Sequence, residues 1–223
     1  MRGMGPSQVE VSLYMLVGLI LGVIIHEYMH GYVAYRMGDP TAKRAGRLTL
    51  DPMAHVDPFG TLILPGMLFL LSLLGHGTFI IGYAKPVPIN PFLFRKPRGI
   101  IWVSLAGPLS NLSLGVVFIG ILRLLTLFEG GGFLERAAYT CLFIAYINLL
   151  LFVFNLIPIP PLDGSRVVGY FLRGEARRAY QSLEPYGFFL ILVLVMLFGF
   201  VLSDIVGGLA NLILRAFGLS GVF

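Results

Sequence analysis

Residues 17–40, "VGLILGVIIHEYMHGYVAYRMGDP", begin as a membrane span and then place His26, Glu27 and His30 directly behind the apolar run. An ionised carboxylate at the centre of a bilayer costs roughly 3 kcal/mol even on lenient scales, so such groups face cavities and usually serve a function. His26-Glu27-Tyr28-Met29-His30 is His-Glu-x-x-His. On a helix, residues four apart share a face, so both imidazoles can reach one ion while Glu27 projects beside that face. A carboxylate so placed can take a proton from a water on the metal and later give it to a leaving amine. The motif also arises by chance in soluble helices; its apolar setting is what argues for chemistry here.

The whole chain is as apolar as this stretch. Of 223 residues, 57% are hydrophobic and 12% charged, with a mean hydropathy of +0.87. Soluble domains run at about half and about a quarter. The composition predicts an integral membrane protein with one core domain, 1–223, and no separate soluble domain. The net charge of +5 is then a matter of position. No basic patch is interleaved with stacking aromatics on a polar background, so no nucleic-acid partner is expected. Cys141, the only cysteine, excludes an intramolecular disulfide and a cysteine-based zinc site and reads as a small buried hydrophobe. Residues 11–25 have the length of a signal-peptide core, but no small-residue cleavage site follows, so an uncleaved first span is expected.

Four windows reach the length of about 20 residues that a spanning helix needs: 11–35, 99–128, 137–159 and 186–202. A fifth, 61–84, is broken by Pro65 and by Gly75-His76-Gly77, where His76 reads as a loop residue. Residues 205–217, next to Asp204 and carrying Asn211 and Arg215, are either interfacial or an extension of the last helix. Twelve of the 16 Lys and Arg fall in three connections: Arg36, Lys43, Arg44 and Arg47; Lys85, Arg95, Lys96 and Arg98; Arg166, Arg173, Arg177 and Arg178. If 61–84 enters and returns as a re-entrant hairpin, all three clusters share one face, as the positive-inside rule prefers. The alternating "GRLTLD" (46–51) and the proline-spaced "YAKPVPINP" (83–91) suggest extended chain on that face. The expected fold is an all-α polytopic membrane protein of four to six transmembrane segments, with a re-entrant hairpin and a small cytoplasmic-side β element.

Two histidines leave a catalytic zinc one protein ligand short. The other carboxylate candidate at membrane depth is Asp163 in "LFVFNLIPIPPLDGSRVV", where Pro158, Pro160 and Pro161 stop a helix from running through. Non-helical backbone there is tolerated only against protein or a water-filled cavity. Taken alone, Asp163 reads equally well as the N-cap of a new helix at 164–173.

"HEYMHGYVAYRMGDPTA", "AGPLSN" and "NLIPIPPLDG" together resemble the site-2 proteases, zinc-dependent intramembrane metalloproteases, over about residues 16–168. The resemblance implies one zinc per chain held by His26, His30 and Asp163, with Glu27 as catalytic acid/base. Asn155 matches a position that helps bind substrate or the oxyanion; an interhelical hydrogen bond toward Asn148 is the structural alternative. Asn111 matches the family's middle-helix motif, where packing competes with a catalytic role. His55 matches a histidine of one bacterial branch near the active-site mouth, or is a satisfied loop histidine. Only "EGGGFLER" separates the spans that carry an inserted peptide-binding (PDZ) domain in larger relatives, and no nucleotide-sensing (CBS) domain is visible. The expected activity is zinc-dependent hydrolysis within or near the transmembrane segments of single-pass substrates, from the cytoplasmic side of the cell's inner or plasma membrane. The rival is a non-hydrolytic metal-binding transporter or scaffold, for which paired broken helices in a repeat would be the sign.

Overall fold

The computed structural model describes residues 5–55, 57, 85–128 and 131–219. Ser7 starts the first helix: its hydroxyl accepts from the Glu10 amide at 3.3 Å, and the Glu10 carboxylate accepts from the Ser7 amide at 2.8 Å. This reciprocal cap satisfies two amides that a helix start leaves orphaned. Helix α1 (Gln8–Met37) runs 30 residues, about 45 Å at 1.5 Å per residue. It stops where Gly38 turns to φ 112°, a conformation that a residue with a Cβ adopts only under strain. Two short helices follow, α2 (Thr41–Arg44) and α3 (Pro52–His55). Then come α4 (Gly99–Leu125), α5 (Gly132–Asn155), α6 (Asp163–Phe171), α7 (Gly174–Gln181) and α8 (Gly187–Ala216).

Among the described residues, four helical stretches are long and apolar enough to cross a membrane: α1, α4, α5 and Gly174–Ala216, whose apolar length is α8. Each coincides with one of the four windows expected from hydropathy. Helix α8 runs without a break to Ala216, so residues 205–216 extend the last helix and do not form a separate interfacial segment.

The expected β element does not form among the described residues. Residues 46–51 make a turn and bends, and 85–90 run extended without pairing. The reason lies in where the backbone donors go. Pro86 and Pro88 have none, the Val87 amide donates to Glu27 at 2.8 Å, and the Asn90 amide donates to Asp39 at 2.6 Å. The hairpin expected at 61–84, His76 included, lies outside the described residues. Its flanks are joined: the Lys85 amide donates to the His55 carbonyl at 3.1 Å.

Helices α1, α4 and α5 pack on one another, α6 lies on α4, and α8 leans mainly on α5. In hydrocarbon, small residues drive such packing by letting backbones approach. A Cβ on Gly18 would stand 2.9 Å from Ile144 Cα, and one on Gly22 2.5 Å from Asn148 Oδ1. A core of Ile119, Leu149, Val206 and Leu214, with Cys141 buried among them, ties α4, α5 and α8 together. Phe188, Phe189, Met196 and Phe200 of α8 remain exposed, which lipid tolerates at no cost.

Two contacts fix the directions. Arg136 at the start of α5 reaches Glu10 at the start of α1 (3.6 Å), and the Arg95 amide, just before α4, donates to Met37 O at the end of α1 (2.8 Å). Thus α1 and α5 run the same way and α4 runs opposite. Helix α8 starts beside the loop that follows α5, where a Cβ on Gly187 would stand 2.6 Å from Pro161 Cδ. All three basic clusters therefore collect at one end of the bundle.

Candidate metal centre

His26 and His30 sit one turn apart on α1, both buried, with ring centroids 4.5 Å apart and planes nearly perpendicular. A third donor arrives from the far side of the chain. Helix α5 ends at Asn155, the prolines carry the chain round without helix, and Leu162 caps α6, leaving Asp163 as its first helical residue. Leu162, and not Asp163, therefore holds the N-cap position. Asp163 Oδ2 lies 3.1 Å from His26 Nε2 and 3.1 Å from His30 Nε2, while the two Nε2 atoms are 2.9 Å apart. Gly164 makes this placement possible: a Cβ there would stand 2.5 Å from the Leu156 carbonyl carbon and 2.8 Å from Ile157 O. The N-cap alternative for Asp163 is thereby set aside.

The outer ring nitrogens fix the protons. His30 Nδ1 lies 2.6 Å from Val103 O, a carbonyl that can only accept. His26 Nδ1 lies 2.6 Å from Asn111 Oδ1. The Asn111 amide nitrogen donates to Gly22 O at 3.1 Å and to Asn148 Oδ1 at 3.0 Å, so its oxygen is the atom left to accept from His26. Asn148 is oriented in turn by donating to Ile144 O at 2.8 Å and Gly18 O at 3.3 Å. With both Nδ1 atoms protonated, two Nε2 lone pairs and a carboxylate oxygen face one point, and no hydrogen bond can join two lone pairs.

Such a donor set fits a divalent cation. Donors held about 2.0–2.2 Å from a tetrahedral zinc stand roughly 3.3 Å apart, close to the 2.9–3.1 Å observed here. Outer hydrogen bonds that lock the ring tautomers are the usual second layer of such sites. Room for an ion comes from Gly107 on α4, where a Cβ would stand 2.6 Å from His26 Nε2. Among the described residues, His26, His30 and Asp163 are the group able to hold a metal.

The other expected residues divide. Half-buried Glu27 is turned toward residues 85–90, its Oε2 accepting from the Val87 amide. Asn155 donates from Nδ2 to Leu151 O at 3.0 Å, inside its own helix, so neither the metal group nor Asn148 engages it. His55 is buried at the end of α3 with Nε2 2.8 Å from Thr49 O, and it is not drawn to the cluster. Asn111 takes the packing role weighed for it, at a three-helix junction, and there accepts from His26. Sequence reasoning missed Asn148, the Val103 carbonyl and the Val87 amide as partners of the site. It also missed Asp39, fully buried, which accepts from the Thr41 amide at 2.9 Å, the Thr41 hydroxyl and the Asn90 amide. Only Asn148 and Asp39 offered a signal, as polar side chains in apolar or turn context.

The peptidase family M50 model matches residues 132–198, which include Asn155 and Asp163. The chain is 41% identical over 214 residues to YwhC of Bacillus subtilis, across 92% of this chain and 90% of that one. It is 30% identical over 190 residues to Rip2 of Mycolicibacterium smegmatis, across 85% of this chain and 69% of that one. It is 34% identical over 158 residues to MJ0611 of Methanocaldococcus jannaschii, across 71% and 70%. All three are named as candidate zinc metalloproteases. No solved structure matches the chain significantly. With four helices among the described residues apolar enough to cross a bilayer and relatives matched over most of their length, this multi-pass membrane protein belongs to peptidase family M50, the site-2 protease family.

Proposed function

We infer that the chain is a zinc-dependent intramembrane endopeptidase that cuts single-pass membrane proteins in or near their transmembrane segments, as in regulated intramembrane proteolysis. The observation that carries this reading is the convergence of the His26, His30 and Asp163 acceptor atoms, two of them on a helix long enough to span. One zinc per chain held by these three would polarise a scissile carbonyl and lower the pKa of a bound water to about 7.

The remaining work falls to this chain's own groups. Glu27 takes the proton of the attacking water and returns it to the leaving amine. The Val87 amide occupies its Oε2 and leaves Oε1 for that exchange. Asn155, at the last turn of α5, donates to the developing oxyanion once its Nδ2 leaves Leu151 O. A transmembrane substrate must unwind before its carbonyls are reachable, and the extended residues 85–90, whose Val87 and Asn90 amides are held by Glu27 and Asp39, have backbone carbonyls to offer its amides. The basic end of the bundle faces the cytoplasm of the cell's inner or plasma membrane. His26 and His30 then lie about 10–17 Å along α1 from that end.

The test is purified protein in lipid vesicles with a synthetic transmembrane peptide. Cleavage should be lost on chelation and restored by zinc, and Glu27→Gln should keep zinc but not cut. Turnover by Glu27→Gln removes the assignment. Zinc uptake without cleavage of any peptide gives the chain to the scaffold or transporter class.

A further inference from the structure

A groove of about 730 Å³ has two walls that continue, along the chain, the segments that carry the site. One wall runs from Ile89 to Ile100, starting two residues after Val87, whose amide holds Glu27. The other begins at Pro160 and Pro161, just before Asp163, and continues through α6 and α7. Phe92, 97% exposed, and Phe94 line the first wall; Arg166, Tyr170 and Arg177 line the second. Among the described residues neither the Arg166 nor the Arg177 side chain has an ion-pair or hydrogen-bond partner. Among the described residues Glu184 is the one acid in the lining, against the two arginines. The groove is therefore cationic and aromatic, with its arginines unpaired.

We propose that this groove selects substrates whose flanking segment, on the basic face of the bundle, carries acidic side chains, with Arg166 and Arg177 as the specificity residues. The proposal rests on the peptidase reading above. Its force comes from what it rejects. Cytoplasmic flanks of membrane helices are ordinarily rich in Lys and Arg, so a cationic groove repels the commonest membrane proteins and admits a minority. Discrimination by a repulsive element of this kind is general in specific recognition. An anionic lipid headgroup shares the required charge. The walls, however, run on from the segments holding Glu27 and Asp163, so an occupant continuing out of the site is polypeptide.

The experiment separates binding from cleavage. The full chain carrying Glu27→Gln is placed in phosphatidylcholine vesicles and titrated with two peptides that share one transmembrane segment and differ in an Asp-rich or Lys-rich flank. The acidic flank should bind about tenfold tighter, equivalent to about 1.4 kcal/mol, and the ratio should shrink with added salt. Arg166→Gln with Arg177→Gln should bring the ratio near one, and Arg166→Glu with Arg177→Glu should invert it. Equal binding of both peptides overturns the proposal, as does a preference that survives in the arginine variants. Tight binding that requires phosphatidylserine and ignores the flank assigns the groove to lipid and also overturns it. Cleavage is then measured on the chain with Glu27 intact. Preferential binding with no cleavage of either peptide removes the peptidase reading and leaves the groove, while cleavage without preference does the reverse.

Discussion

Asn111 Oδ1 stands 2.6 Å from His26 Nδ1, and that contact decides which nitrogen of His26 faces Asp163. The two residues are 85 positions apart in the chain, on helices running in opposite directions. Replacing Asn111 with Leu leaves the ring free to take the wrong tautomer. Zinc affinity should fall about 10- to 100-fold, the usual effect of removing an outer partner of a ligating histidine. Competition against a chromogenic chelator measures it. Asn148→Leu should shift affinity in the same direction and by less, since it acts through Asn111.

Gly107→Ala separates the fold from the site. Alanine is about 1 kcal/mol the better helix former, so helix content should hold. The added methyl would lie 2.6 Å from His26 Nε2, where an ion has to sit. The expected outcome is protein with native circular dichroism that binds less than a tenth of the zinc of the parent chain by atomic absorption.

Metal removal should lower thermal stability, because an ion bound only by the folded chain stabilises it by mass action. At a free zinc concentration one hundred times Kd the gain is about 2.7 kcal/mol. Unfolding followed with and without chelator should show that loss in the parent chain. Asp163→Ala should unfold at the same temperature in both conditions.

Val87→Pro tests the amide that holds Glu27. The change removes one donor from a stretch already extended between Pro86 and Pro88. A hydrogen bond to a charged group is worth about 1.5–3 kcal/mol, so kcat should drop roughly 10- to 100-fold. Zinc content should stay unchanged and KM should move less than kcat. Unaltered kcat would mean that Glu27 needs no such support.

Much of this site was legible before any coordinates. His26 and His30 announced themselves by a four-residue spacing inside an apolar run, and Asp163 by the prolines that bar helix ahead of it. The four spans followed from hydropathy, because lipid leaves few other uses for such segments. What could not be read was juxtaposition. "AGPLSN" flagged Asn111, but choosing between packing and chemistry required knowing that His26 lies opposite. Val103 contributes a carbonyl and Val87 an amide, and a backbone group leaves no mark on the residue type. The strand expected at 46–51 failed for a related reason: alternation shows which residues can face one way, yet a strand also needs an edge to pair with. The amides of Val87 and Asn90, the nearest candidates, are already held by Glu27 and Asp39.

That double hold has a mechanical result. Two carboxylates, Glu27 between the two candidate ligand histidines and Asp39 just past the end of the same helix, clasp amides three residues apart on a single length of backbone. Asp39 is the fixed anchor, fully enclosed and tied to Thr41 as well. Any pull on this length from outside is thereby passed to Glu27 through the Val87 amide, and to Asp39 through that of Asn90.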